Sequence, residues 1–322
     1  MLVRRVTVPA LLCLALASAA GCGSSSSGEE PRPAPAATEF PSAKGKTIED
    51  ILHGSGAKET NLVVSPAAQS FVVGPNRYPF GVFTVANEQV DDADVALYFA
   101  KSPGGKVQGP LPAEVTSLEV KPAYRAAGSG DAKSAYVVPR VDFDQPGPWL
   151  AVAILKGRDG LESSLVPSPD VGLYPQIPKV GERAPSIHTP TASDVGGDLT
   201  KIDTRVPPDQ MHATDYADVY GKKPIVLVFA TPALCQSRVC GPVVDVAQQV
   251  ADKYGDEAEF IHMEVYNDNN PEKGVRPQLR AFGLQTEPWT FLIDRDGVVR
   301  DRIEGAYGVF ELEQALKKIL PG

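Results

Sequence analysis

The sequence predicts a mixed protein: an N-terminal antiparallel β-sandwich followed by a C-terminal α/β domain. Three observations lead there. At 322 residues the chain is longer than one typical core requires. Short β-type runs broken by Gly/Pro turns fill 62–166, with no helical periodicity. From 224 onward, continuous apolar runs alternate with stretches of helical spacing. Hydrophobic content of 43% and charged content of 22% are those of a globular chain. A net charge of −9 repels phosphate backbones, which excludes nucleic acid as a partner.

The chain opens with an address. Arg4 and Arg5 precede an apolar run from Val6 to Ala20, shorter than the ~20 residues of a membrane-spanning helix and suited to a secretory h-region. It ends Ala19-Ala20-Gly21-Cys22, which resembles a bacterial lipobox, although Ala19 stands where such motifs usually carry Leu. The resemblance implies a signal peptide over 1–21, acylation of Cys22, and anchoring to a lipid bilayer on its extracytoplasmic face. Cleavage after Ala17-Ser18-Ala19, leaving Cys22 as a thiol, is the alternative. A Ser-rich and then Pro-rich stretch, Ser24–Ser27 followed by Pro31, Pro33, Pro35 and Pro41, predicts a flexible to extended tether within 22–60. Cys13 departs with the signal peptide. Cys235 and Cys240 then remain, in a compartment where disulfides persist.

In 61–166 the candidate strands are 69–73, 82–86, 95–99, 117–120, 135–141 and 149–155, with turns at 102–105, 128–130 and 145–148. The stretch Phe143-Asp144-Gln145-Pro146-Gly147-Pro148-Trp149 resembles a turn feeding a strand in the immunoglobulin-like domains of exported bacterial proteins. Asp91, Asp92 and Asp94 lack the spacing and closing Glu of a calcium loop and read as a solvated strand end. No catalytic cluster occurs here, so spacing or partner docking is expected. Pro167, Pro169, Pro175 and Pro178 predict an inter-domain linker over 167–178.

In 179–322, Pro224–Ala230 is an apolar run expected to be a central strand covered on both faces. The cysteines follow directly. Val243, Val246, Ala247, Val250 and Tyr254 share a helical face. A short helix is expected in 212–220, a strand in 260–265 and a helix around 279–282. A hairpin is expected over 287–303, turning at Asp294-Arg295-Asp296-Gly297, and a closing helix over 309–320.

This order, parallel βαβα followed by a β-hairpin and a helix, resembles the thioredoxin superfamily over about 179–320. The opening Lys179-Val180-Gly181-Glu182-Arg183-Ala184-Pro185 is similar to that of peroxiredoxins and TlpA-type membrane-anchored thioredoxins. Two motifs carry the resemblance: the cysteine pair after Phe229-Ala230, and Pro288 at the position of the family's cis-proline. It implies an extracytoplasmic thiol–disulfide oxidoreductase with Cys235 and Cys240 as catalytic residues. Glu287, Pro288 and Trp289 would then line the substrate site, and protein thiols or disulfides would be the clients. Glu287 departs from the Thr or Val usual before this proline. No metal and no cofactor are expected.

The family's spacing is C-x-x-C, whereas here it is C-x4-C. On a regular helix, positions i and i+5 lie ~8 Å apart at Cα, beyond the ~7 Å reach of a disulfide. A helix starting near Pro242 would leave 235–240 as a loop in which the sulfurs can meet; one starting near Cys235 would have to unwind. Either way a thiol lies near a helix N-terminus, where the macrodipole favours thiolate. Counting from Phe229 makes Cys235 the nucleophile and Cys240 its resolving partner. The triplet Cys240-Gly241-Pro242 supports the opposite assignment. A static, structural disulfide is the third possibility.

Two other activities stay open. Q-type peroxiredoxins also use C-x4-C, but their P-x-x-x-T-x-x-C pattern is out of step here, with Val228 and Pro232 at the Pro and Thr positions. Copper delivery would need a histidine beside the thiolates; His212 and His262 are candidates, with Glu264 on the same strand face as His262. A redox-inert binding module is the last alternative.

Overall fold

The computed structural model describes residues 28–128, 132–157, 160–235 and 237–320. The signal-peptide and lipobox readings, Cys13 and Cys22 included, lie outside these residues. None of the described helices is long and apolar enough to cross a membrane.

The N-terminal half is built from two sheets enclosing one core. One has four strands, in the order Val63–Pro66, Gly74–Phe83, Ser134–Phe143, Glu114–Ser117. The other has five, in the order Lys58–Glu59, Gly160–Val166, Leu150–Gly157, Asp94–Ala100, Val107–Pro112. All pairings are antiparallel except that of the short Lys58–Glu59 with Gly160–Val166. Period-two alternation sends Val95, Leu97 and Phe99 into the shared core beside Tyr78, Phe80, Tyr136 and Phe143. The rings interlock edge-to-face (Phe99 and Phe143 centroids 5.4 Å apart) and stacked (Phe80 and Tyr136, 5.3 Å).

The alternate residues of the five-stranded sheet, Ala96, Tyr98, Ala100, Val152 and Ile154, are also buried. What covers them is the segment expected to be a flexible tether. Phe40, Ala43, Ile48 and Ile51 pack onto that face. Tyr98 Oη donates to the Pro41 carbonyl (2.7 Å), and Lys156 pairs with Glu39 (2.6 Å). Thr47 caps the short helix Ile48–Leu52 through a reciprocal box with Asp50. The physical reason is that strands apolar on both faces need a cover on both faces. The linker expected over 167–178 is likewise fastened: Asp170–Val171 pairs with Gly147–Pro148, and Ile177 is buried in the C-terminal core.

The C-terminal half has a four-stranded sheet in the order Glu259–Met263, Ile225–Phe229, Trp289–Ile293, Val299–Glu304. The first pair is parallel and the other two antiparallel. The parallel first pair and the antiparallel hairpin are the senses expected from the sequence. The helices Cys240–Tyr254 and Val309–Leu316 cover one face through Val243, Val246, Val250, Leu312 and Leu316. The other face buries Phe229, Phe282, Trp289 and Phe291, with the short helices Tyr216–Val219 and Pro277–Ala281 laid against it.

The two halves meet through polar contacts around a small apolar seam of Leu118, Ala135, Val239 and Ala306. Glu304 accepts from the Gln69 and Ser70 amides (3.1 and 2.8 Å). Arg77 reaches Glu311 and the Ala306 carbonyl (2.6 Å). Arg205 forms a buried pair with Asp245 (2.8 Å) and donates to the Tyr124 carbonyl (2.6 Å).

Candidate functional site

The strand Ile225–Phe229 is buried throughout and delivers the chain to a loop that begins at Ala230, at the end of the sheet. The helix then starts at Cys240. This start leaves Cys235 in the loop, half-buried, and Cys240 at the first helical position, fully buried. Their Cα atoms are 6.0 Å apart and the sulfurs are bonded to each other. Of the two geometries open to the C-x4-C spacing, the loop one is therefore present. Ser237 Oγ lies 3.2 Å from Cys235 Sγ, and Arg238 turns the chain toward the helix in a left-handed conformation (φ 59°).

Glu287 comes from the opposite side, at the foot of the hairpin. Its Oε2 accepts from the Thr231 amide (2.8 Å) and lies 3.5 Å from Cys240 Sγ. In the disulfide that sulfur has no proton to give. Once reduced, the Cys240 thiol can share its proton with the carboxylate. Burial pushes the Glu287 carboxyl up to about 8. The Thr231 amide opposes the shift, Glu264 adds to it, and His262 opposes it. An acid with this poise, in contact with a cysteine sulfur, is suited to proton transfer near neutral pH.

The Glu287–Pro288 peptide is cis. Trp289, expected with these two to line a substrate site, is instead on the far side of the sheet. Its indole is buried against Phe291 (5.6 Å) and under Arg302, and its Nε1 donates to Thr286 Oγ1 (3.0 Å). The reason is strand alternation: Trp289 pairs with Phe229 and points with it into the core opposite the helix that begins at Cys240.

A second set of chemistry-bearing side chains lies behind the cysteine loop. Asp203, Asp209, His212 and His262 are all buried and close enough to share a metal ion. Burial opposes the charged forms of His262 and Asp209. Their mutual attraction across 2.7 Å prevails, holding His262 above its ordinary range and Asp209 below. Cys235, Cys240 and Glu287 are equally close, but in the disulfide the sulfurs are committed to each other. Of this set the sequence offers only His212 and His262, as candidates beside the thiolates; the two aspartates carry no signal, because the path of an irregular segment brings them in.

No protein-family model and no curated protein sequence matches the chain. Among solved structures, one similar to it is a putative thiol:disulfide interchange protein DsbE from Chlorobium tepidum (17% identity, 45% of this chain and 99% of that one, TM-score 0.32). Another is a thiol:disulfide interchange protein of the thioredoxin family from Chlorobium tepidum TLS (17% identity, 44% and 99%, TM-score 0.31). A third, the ZirS C-terminal domain, is 12% identical over 52% of this chain and 97% of that one, with a TM-score of 0.18.

Proposed function

We propose that the chain is a thiol–disulfide oxidoreductase of thioredoxin type. It works through Cys235 and Cys240 and is held to the extracytoplasmic face of a membrane by lipid on Cys22. The observation that carries this reading is the asymmetry of the pair. One sulfur is half-buried on a loop at the end of a central strand, and the other is sealed at a helix start beside a half-buried carboxyl.

In the reducing direction, the Cys235 thiolate attacks one sulfur of a client disulfide. A Cys235–client bond forms, the client S–S bond breaks, and the second client sulfur leaves as thiolate and takes up a proton. Glu287 then accepts the Cys240 proton, and the Cys240 thiolate attacks Cys235 Sγ. The Cys235–Cys240 bond forms and the remaining client sulfur leaves. Two electrons pass from the pair to the client; the reverse sequence oxidises a client dithiol. Greater exposure supports Cys235 as the first attacker and Cys240 as the resolving partner. Glu287 borders the sulfurs and is followed by the cis Pro288, and a client would approach past this pair. A cleft of about 730 Å³ beside Ser237, Arg238 and Val239, walled by Phe80 and Phe83 of the N-terminal half, offers room for a client segment. The N-terminal half is read as an immunoglobulin-like sandwich that forms this wall.

The test is capture. With Cys240→Ala in native membranes, client proteins should accumulate as mixed disulfides released by reductant, and additional Cys235→Ser should abolish them. Equal trapping by Cys235→Ser alone would reverse the assignment, and no trapping by either would remove the activity.

A further inference from the structure

Between 189 and 215 the chain forms no strand and no α-helix, only the 3-10 turn Leu199–Lys201. So long an irregular stretch is uncommon in a compact unit unless something fastens it. It contributes the buried Asp203, Asp209 and His212, which meet His262 of the strand Glu259–Met263 and which the thiol chemistry does not use. Each offers one ligand atom, and these atoms all lie within 4.8 Å of one another. His212 Nε2 is 3.4 Å from Asp203 Oδ2 and 3.5 Å from Asp209 Oδ1. His262 Nδ1 is 2.7 Å from Asp209 Oδ2 and 3.9 Å from Asp203 Oδ1. In a tetrahedral zinc site, with bonds near 2.0 Å, ligand atoms are about 3.3 Å apart. The observed separations bracket that spacing.

We infer that Asp203, Asp209, His212 and His262 form a buried structural site for a divalent zinc-like ion. Four further features support it. Neither ring nitrogen of His212 has a hydrogen-bond partner, although its side chain is only 2% exposed. A buried imidazole left so is an expense that coordination removes. His262 presents Nδ1 to the carboxylates while Nε2 meets the Ala230 carbonyl (3.0 Å), the way a backbone oxygen orients a ligating imidazole. The carboxylates are themselves aimed, Asp203 by the Arg205 and Asp209 amides (both 2.7 Å) and Asp209 by the Met211 amide (2.8 Å). Two carboxylates with two neutral imidazoles carry a charge that one divalent ion cancels. The mixed nitrogen and oxygen donors suit zinc better than Cu(I), which favours sulfur, or magnesium and calcium, which favour oxygen alone.

Four protein ligands leave no open position, so the ion's work is to hold structure. It ties the irregular segment to the strand Glu259–Met263. From there it reaches the cysteine loop by two bonds: His262 to the Ala230 carbonyl, and the Ala233 amide to Thr204 Oγ1 (3.1 Å).

The experiment uses the full-length chain carrying Cys13→Ser, Cys22→Ser, Cys235→Ser and Cys240→Ser, so that no thiolate can bind. After loading with zinc chloride and dialysis, it should retain about one zinc per chain and melt at a higher temperature than the chelator-treated protein. X-ray absorption at the zinc edge should report two imidazoles, oxygen donors and no sulfur. His212→Ala removes a side chain with no hydrogen bond to lose and should weaken zinc binding at least about tenfold. Failure to retain zinc, a coordination shell without two imidazoles, or unchanged affinity in a folded His212→Ala protein would overturn the site. Loss of redox activity in other assays would leave it standing, since the test is made without the cysteines.

Discussion

Replacing Glu287 with Gln isolates the half-buried carboxyl beside Cys240. The amide keeps an acceptor for the Thr231 amide at nearly the same volume, and only ionisation is lost. In the folded protein this carboxyl titrates near 8, against an ordinary value of 4.5. Below about 4.5 it is protonated both folded and unfolded, and costs nothing. As pH rises from there to about 8, the unfolded chain gains a solvated carboxylate that the fold refuses, so stability falls; above about 8 the loss is complete. The difference corresponds to roughly 5 kcal/mol at most. Partial solvent access brings the expected loss to about 2–3 kcal/mol. The charged groups that set the value are Glu264, which raises it, and His262, which lowers it, so a chelator should be present to fix the charge around His262. Urea unfolding of oxidised wild type and Glu287→Gln, across this range, should show the variant gaining on wild type as pH rises and the gap levelling above about 8. Curves that stay parallel from acid to alkaline pH would refute the buried-acid argument.

Three further outcomes are expected. Resolution of a Cys235 mixed disulfide by Cys240 should accelerate as pH rises through about 8 in wild type, where Glu287 becomes a base, and should lose that inflection with a slowing of at least about tenfold in Glu287→Gln, measured by stopped-flow release of an aromatic thiol. Arg205→Met should cost about 3–5 kcal/mol in denaturant unfolding, because it removes the guanidinium from the buried Asp245 carboxylate and from the Tyr124 carbonyl; a change under about 1 kcal/mol would mean that water already reaches the pair. Ile51→Ala should cost about 2–5 kcal/mol, as for any fully buried isoleucine, whereas a residue in a free tether would cost nothing measurable.

The C-terminal half was legible because each of its elements has a strong local pattern. Ile225–Phe229 is apolar at every position, the helix after the cysteines keeps one apolar face, and Asp294-Arg295-Asp296-Gly297 marks the hairpin turn. The N-terminal half was less so. Gly74–Phe83 is one long strand, yet Pro75, Pro79 and Gly81 read as breakers, and the strand was expected only from 82. Val107–Pro112 and Gly160–Val166 were missed for want of an apolar alternation, since most of their residues are only half-buried. The tether was misread although a clue was present: Val95 to Ala100 is apolar without alternation, so its second face needed a cover, and Phe40, Ile48 and Ile51 were the apolar residues available upstream. At the candidate site, the structure brings Cys235, Cys240 and Glu287 together, as their positions relative to the strand ends suggest. Trp289 was misplaced by ignoring the period of two that turns it away from Pro288. The Asp203, Asp209, His212 and His262 set had no periodic signature, because an irregular segment supplies three of its members.

Reversible exchange at the cysteine pair can be read most directly by equilibrating the native protein in dithiothreitol buffers of graded potential, quenching with an alkylating agent and weighing the chain. The expected result is a smooth two-electron transition under native conditions, at a potential more oxidising than the roughly −300 mV below which structural disulfides lie, with Cys235 alkylated before the buried Cys240. A pair that stays oxidised until the protein is unfolded would contradict it.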